Sequence, residues 1–417
     1  MSANLSFEEF VLQNRALKVP RFGAVELLSD PSPEVLLFFW DLMRGISSPL
    51  PACSVSSWNR VFELFDQWSI PMLFWKAHTL SRGHTPPKEI MDRMRLHFLS
   101  SRARTRVVQQ QLGEIAAAFD SKDIPFLAWK GSALAFTVYP DPAMRPGQDI
   151  DLLVRPADFL KVRSAMEGLG YRSIGRWFEA VPEYGNTETF VDQRGPGRHL
   201  PIDIHWKVHP YEGARGVLGE ADLFRRSVRH ESSPADFRVL HPVDALVILA
   251  LHMVLRHPHE FQLIWVEDAS LLARSFRVPQ DWRDLQEQAV GWQARLAVER
   301  TLRIASLWTD LRLPDGFDDF TRWPEPSKEE KEAFHHGLRS RERKLSLFRL
   351  YWPRHASISE KAAFLFRVLF PGPEYVRWKC PPRAPYLLPI SYVRCWAARG
   401  GSPHPKGACL KREKQPP

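Results

Sequence analysis

The chain has 417 residues, 44% hydrophobic and 25% charged, with 57 Lys and Arg against 48 Asp and Glu and a formal charge of +9. That length suits roughly two or three domains and a sizeable core, which excludes a wholly disordered chain. The basic excess favours anionic partners such as nucleotides, nucleic acid or a membrane surface, and its spread over a long chain makes it a tendency only.

The four cysteines, Cys53, Cys380, Cys395 and Cys409, have neither CxxC spacing nor a zinc-type pairing with histidine. Their dispersal fits a reducing compartment, and a cytoplasmic protein is expected. The opening MSANLSFEEFVLQN is acidic and lacks an apolar h-region, so no signal peptide is expected. The longest apolar run, ALVILALHMVL (Ala245–Leu255), is shorter than the roughly 20 residues of a membrane span and reads as a buried helix.

Residues 1–120 read mostly as helix, broken at SSPLPACS and GHTPPKE. The last of these helices, Asp92–Phe119, sets Met94, Phe98, Val108, Leu112, Ile115 and Phe119 on one face, with Ser101 and Thr105 interrupting the stripe. The texture then changes. IPFLAW (Ile124–Trp129) reads as a strand, and KGSALAFTVY (Lys130–Tyr139) as a helix directly after it. Pro140, Pro142 and Pro146 precede a second strand, DIDLLV. PADFLKVRSAMEGLGY (Pro156–Tyr171) has Pro at its start and Gly near its end, as helices prefer. TETFVDQRGPGRHLPIDIHWKV (Thr187–Val208) reads as a hairpin turning at RGPGR. From His241 helices return, through HPVDALVILALHMVLRH, FQLIWVEDASLLARSF and DLQEQAVGWQARLAVERTLRIASLW. SRERK reads as a solvated helix face, and SEKAAFLFRVLF (Ser359–Phe370) either docks on a membrane surface or, as expected, packs on the body. The Gly/Pro/Lys-rich end from Gly400 is expected to be disordered.

Three elements within the α/β stretch carry chemistry. Lys130-Gly131-Ser132 sits where a strand turns into a helix. Glycine lets backbone approach a ligand, and a helix start offers free N–H groups to an anion, so the turn is a candidate phosphate cradle. Such a turn also arises for its geometry alone. Asp149 and Asp151 flank Ile150, so in a strand they share a face about 7 Å apart. Two such carboxylates repel unless a cation lies between them, and Mg²⁺ favours oxygen ligands of this kind. The alternative is that they meet water, or pair with Arg145 and Arg155. Asp203, inside PIDIHW, is a third acid in an apolar strand, whose alternatives are a turn hydrogen bond or pairing with Arg198 or Lys207. Three carboxylates can hold two Mg²⁺ ions across a phosphoryl-type displacement, and one can take the acceptor's proton.

The stretch FLAWKGSALAFTVYPDPAMRPGQDIDLLV, followed by PIDIHW, resembles the DNA-polymerase-β-type nucleotidyltransferase superfamily. More narrowly it is similar to a bacterial family of uncharacterised nucleotidyltransferases, over Phe126–Trp206, with ALHMVLRH and LIWVEDASLL similar to that family's C-terminal part. The resemblance implies an α+β fold, a small mixed-sheet nucleotidyltransferase core flanked by N-terminal and C-terminal helical regions. The expected division is a helical region 1–120, the core 121–215, a helical domain 216–345 and a basic extension 346–417. The resemblance also implies metal binding by Asp149, Asp151 and Asp203, and nucleotide-phosphate contacts by Gly131 and Ser132. Lys130 departs from the superfamily's apolar residue but fits the narrower family, and Arg145 matches the family's arginine and is expected to face the phosphates. His205 shares the strand face of Asp203, so it either joins the site or is a satisfied structural histidine, the latter being expected. Asp268 either faces the nucleotide or, as expected, caps its helix or pairs with Arg274.

The expected activity is Mg²⁺-dependent transfer of NMP from an NTP, ATP favoured, to an unidentified small-molecule, peptide or saccharide acceptor, with release of pyrophosphate. A metal-dependent glycosyltransferase fits the DxD alone, but not the Gly-Ser turn and third Asp. A silent nucleotide-binding module has no need of three costly carboxylates. Nucleic acid is not an expected partner, since the chain carries no basic-aromatic stripe.

Overall fold

The structure, a computed structural model, describes residues 33–64, 68–80, 84–174, 187–195, 199–208, 220–230, 237–258, 260–339 and 388–397, with isolated positions at 9, 13, 358, 359, 362 and 366. RGPGR is described only to Gly195, and SRERK, the stretch from Gly400 and most of SEKAAFLFRVLF lie outside the described residues.

In chain order the elements are α1 (Pro33–Met43), α2 (Val55–Leu64), α3 (Ile70–Leu80), α4 (Lys88–Asp120), β1 (Phe126–Trp129), α5 (Lys130–Thr137) and β2 (Ile150–Val154). There follow α6 (Phe159–Gly168), β3 (Tyr171–Ser173), β4 (Thr187–Asp192), β5 (Ile202–His205), α7 (Glu220–Arg226), β6 (Val228–Arg229) and β7 (Arg238–Val239). The rest is helical: α8 (Pro242–Leu251), α9 (Leu263–Arg274), α10 (Pro279–Gly291), α11 (Arg295–Thr309), α12 (Lys328–Arg339) and α13 (Leu388–Ala397). The fold is α+β, with mixed strand pairing and many helices. No helix among the described residues is long and apolar enough to cross a membrane.

The chain divides into two compact units. The first comprises Met1–Gly113, Leu127–Gln148 and Gly213–Arg341. It is mostly helical, with β7 pairing parallel to β1 and antiparallel to β6. The Trp40 indole N–H donates to the Leu307 carbonyl at 2.9 Å, tying α1 to α11. Ser101 interrupts the apolar stripe of α4 because its hydroxyl donates to the Ala143 carbonyl at 2.6 Å, so the polar group is buried with a partner. The sequence pattern continues without a break from Asp284 to Trp308, yet the chain bends between α10 and α11. Gln293 there takes a left-handed φ of 51°, and Ala294 N donates back to the Ala289 carbonyl.

The second unit comprises Glu114–Phe126, Asp149–Glu212 and Glu342–Pro417. Its strands lie in the order β3-β4-β5-β2. β2 and β5 are parallel, while β4 is antiparallel to both β5 and β3. All five residues of β2 are buried, so the run of Leu and Val beside its acid reads as a strand covered on both faces. α6 buries Phe159, Val162, Ala165 and Met166, a stripe at helical spacing. Gly170 then takes a φ of 83°, which stops the helix and starts β3 at Tyr171, earlier than the sequence pattern predicts. Trp206 is fully buried, and its ring lies 4.5 Å from that of Phe159 on α6. Ile202, Ile204 and Trp206 alternate with Asp203 and His205, so one face of β5 is apolar while the other carries the polar groups.

A buried ion pair in the first unit gives a direct test of its packing. Lys76 Nζ lies 2.9 Å from Glu267 Oε1, both side chains being largely buried, and also donates to the Met43 carbonyl. Lys76→Met leaves Glu267 charged and alone, and is expected to cost about 3–5 kcal/mol in urea denaturation. Lys76→Met combined with Glu267→Leu is expected to cost less than Lys76→Met alone, because no buried charge remains.

Candidate functional site

The polar face of the second unit arises from strand register. In the parallel β2–β5 pair, Asp151 stands beside Asp203 and Leu153 beside His205. In the antiparallel β4–β5 pair, Thr189 stands beside Asp203. Neighbours in register share a face, and His205 shares it again as the second residue after Asp203. His205 Nε2 lies 2.8 Å from Asp151 Oδ1, and both side chains are 7% exposed. The Thr189 hydroxyl donates to Asp203 Oδ1 at 2.6 Å. One donor atom each from Asp151, Asp203 and His205 lies within 4.8 Å of the others. That spread suits donors gathered on one divalent ion, whose oxygen and nitrogen ligands lie about 2.0–2.6 Å from it. A buried carboxylate (Asp151) and a half-buried one (Asp203) beside an imidazole are also an arrangement whose negative charge a cation offsets.

Asp149 is placed differently from the sequence expectation of two same-face strand acids. The parallel ladder opens with Ile150 N donating to the Pro201 carbonyl at 2.9 Å, so β2 starts at Ile150. Asp149 lies in the bend before it, half-buried, and is not a member of the three-residue cluster. His205 takes the place beside Asp151 that the sequence reading gave to Asp149. Thr189 was missed altogether. Its only signal was its place in TETF, which names no partner until the hairpin register is known.

The Lys130-Gly131-Ser132 turn belongs to the first unit. Lys130 adopts φ 53° at the start of α5, a left-handed conformation unfavourable by roughly 1–2 kcal/mol for a residue with a side chain. The strained residue is therefore Lys130, and Gly131 is required for space. A Cβ on Gly131 would meet Arg145 Nη2 at 2.8 Å and Cζ at 3.0 Å. The Lys130 ammonium lies 4.7 Å from the centre of the Trp129 ring, and the Ser132 hydroxyl donates to the Trp129 carbonyl at 3.2 Å.

Arg145 cannot swing aside freely. Its Nε and Nη2 donate to Asp268 at 2.9 Å, a two-point clamp onto a side chain that is 1% exposed. Tyr139 donates its hydroxyl to the same carboxylate at 2.8 Å. Burial, with Asp268 and then Glu267 close by, pushes the Tyr139 phenol well above its ordinary value despite the opposing Arg145 charge, so it stays a neutral donor. The expected pairing of Asp268 with Arg274 is not made. Arg274 turns instead to Ser270 Oγ and the Thr309 carbonyl. Arg145, expected to face phosphates, packs over Gly131 and holds Asp268 of α9. Tyr139 matches the tyrosine of the family pattern between the KG turn and the arginine, but that pattern assigns it no role.

The family described as "Uncharacterised nucleotidyltransferase" matches residues 54–310 of the chain. No curated protein matches it. Among solved structures, the antibiotic-resistance factor ANT(2'')-Ia aligns at 14% identity with a TM-score of 0.31, over 46% of this chain and 94% of that one. An antigenic nucleotidyltransferase-like protein from Paracoccidioides brasiliensis aligns at 15% identity with a TM-score of 0.29, over 47% of this chain and 92% of that one.

The contact between Gly131 and Arg145 predicts an energetic coupling. Gly131→Ala is expected to destabilise the protein by about 1–3 kcal/mol, the usual cost of overpacking a fixed neighbour. When Arg145→Ala is already present, the added cost of Gly131→Ala should fall below about 0.5 kcal/mol. A double-mutant cycle by chemical denaturation reads the difference, and strict additivity would show that the two do not press on each other.

Proposed function

The chain belongs to the uncharacterised nucleotidyltransferase family, and from that membership we propose that it transfers a nucleoside monophosphate from an NTP, with ATP as the favoured donor, to a hydroxyl or phosphate acceptor. The observation that carries this reading is the side-by-side placement of Asp151 and Asp203 on paired parallel strands, with Thr189 fixing one of the carboxylates.

In the proposed reaction the acceptor oxygen attacks the α-phosphorus. The bond from that phosphorus to the bridging oxygen breaks, and pyrophosphate leaves. Asp151 and Asp203 hold the divalent cation, for which Mg²⁺ is proposed from the two carboxylates and the phosphates of the donor. The bound ion supplies charge neutralisation as negative charge builds on the phosphoryl oxygens. Asp203 is proposed to take the acceptor's proton, its Oδ1 being held by Thr189 so that the carboxylate keeps a constant orientation. Gly131, Ser132 and Lys130 are proposed to contact the triphosphate through the start of α5 and the lysine charge. Asp149 is proposed as an outer acid that joins the ion through the loop before β2. Arg145 is proposed to keep the Gly131 turn in shape through Asp268, a support which the two-point clamp favours over a direct phosphate contact. A small molecule, peptide or saccharide is proposed as the acceptor.

A donor screen tests this reading without knowledge of the acceptor. ATP, CTP, GTP and UTP, each with and without Mg²⁺, are compared by thermal shift on the wild type and on Asp151→Asn. A ligand that binds only the folded state stabilises it by RT ln(1 + [L]/Kd), about 2.7 kcal/mol at a hundredfold excess over Kd. The expected outcome is a Mg²⁺-dependent shift with ATP that exceeds the other three and is lost in Asp151→Asn. Equal shifts in both proteins would remove Asp151 from the site.

A further inference from the structure

We propose that His205 is a nitrogen ligand of the ion held by Asp151 and Asp203, and that it makes the site hold Mn²⁺ more tightly than Mg²⁺. The imidazole does not prevent Mg²⁺, the ion proposed above from the carboxylates and donor phosphates alone, from binding. The inference rests on the metal-binding reading above and deepens it, by naming a third ligand and the class of ion preferred.

The placement of His205 is the first reason. It sits on the same strand as Asp203, two residues on, and in register with Leu153, two residues on from Asp151 on the same face of β2. All three side chains therefore leave rigid strand backbone toward one face. The imidazole turns its Nε2 to the carboxylates, 2.8 Å from Asp151 Oδ1. Two donors that sit side by side on one ion, each about 2.1 Å from it, are about 3 Å apart, so the spacing fits a shared ion once Nε2 carries no proton.

The chemistry of the donors is the second reason. Mg²⁺ takes oxygen ligands in a strict octahedron and gives up its water reluctantly, so a nitrogen neighbour adds little to its binding. Imidazole suits the borderline first-row ions, whose affinity rises from Mn²⁺ along the series toward Cu²⁺. A site of two carboxylates alone would bind Mg²⁺ and Mn²⁺ by the same two contacts. An added imidazole strengthens the hold on Mn²⁺ and leaves that on Mg²⁺ nearly unchanged. Thr189 supports this selectivity by fixing Asp203, since a ligand that cannot shift cannot adapt to the wrong ion.

The test uses the full-length chain with Mn²⁺ and Mg²⁺ as the probes. Calorimetry gives the affinity of each ion for the wild type, Asp151→Asn and His205→Gln, and a thermal melt checks that each variant is folded. Electron spin-echo modulation of bound Mn²⁺ reports directly whether a histidine nitrogen is coordinated, and on the wild type it needs no substitution. The expected result is nitrogen modulation in the wild type that His205→Gln abolishes. With it, Mn²⁺ affinity should fall at least about tenfold and Mg²⁺ affinity change less than about threefold. Mn²⁺ bound without nitrogen modulation, or Mn²⁺ and Mg²⁺ affinities that fall together in His205→Gln, would overturn the ligand role and leave the carboxylate site standing. Failure of both ions to bind the wild type would overturn the metal reading and this inference together.

Discussion

The parallel pairing of β2 with β5 is the constraint on which the polar site depends. It sets Asp151 against Asp203, carboxylates separated by more than fifty residues of chain, on hydrogen-bonded strand backbone. Bringing two acids together in a largely buried place is unfavourable, and the strands supply the compensation locally. His205 meets Asp151, and Thr189 meets Asp203. The other face of β5 secures the register, because Ile202, Ile204 and Trp206 are fully buried and Trp206 locks against Phe159. A slip of one residue would turn Asp203 and His205 into that apolar layer and expose the isoleucines. Core packing and site geometry are thus two faces of one strand.

The first unit solves a different problem, that of holding a strained turn. Lys130 occupies a left-handed conformation directly after β1, and the glycine that follows lies under a guanidinium. Arg145 is kept there by Asp268, and Asp268 is in turn met by Tyr139. The carboxylate accepts three donor groups in a place where an unpaired charge would be strongly unfavourable. A turn that looks, by its residue types, like a pure ligand loop is thus also part of a buried polar network. The neighbouring acid on α9, Glu267, is neutralised separately by Lys76. The adjacent acids in WVEDASLL therefore serve two different partners on two different elements.

Much of the fold was legible because periodicity and punctuation agreed with the tertiary outcome. The strands FLAW and IDLLV, the hairpin strands TETFVD and IDIH, and the long helix before them all form where the apolar patterns place them. The differences come at element ends, where local hydrogen bonding decides. Gly170 stops α6, as a glycine near the end of that run suggests, whereas the break at Gln293 between α10 and α11 has no signal in the apolar spacing. The candidate acids Asp151 and Asp203 were legible for a simple reason. A carboxylate amid Ile and Leu has no purpose in a buried strand unless it meets a partner.

Residue types and their spacing were enough by themselves to determine the class of the protein, its strand and helix order, and the presence of acids where water is scarce. They also carried the family resemblance, since KGS, DIDLLV and PIDIHW are contiguous motifs. Partnership was decided only in three dimensions. The ladder begins at Ile150, so Asp149 falls outside the strand and His205 stands beside Asp151. Asp268 chooses Arg145 over Arg274, which is nearer in sequence, because packing brings the distant guanidinium to it and takes Arg274 to Ser270 and Thr309. Sequence spacing governs which residues share a face of one element. Which faces meet depends on register and packing between elements far apart in the chain, and no local pattern encodes that.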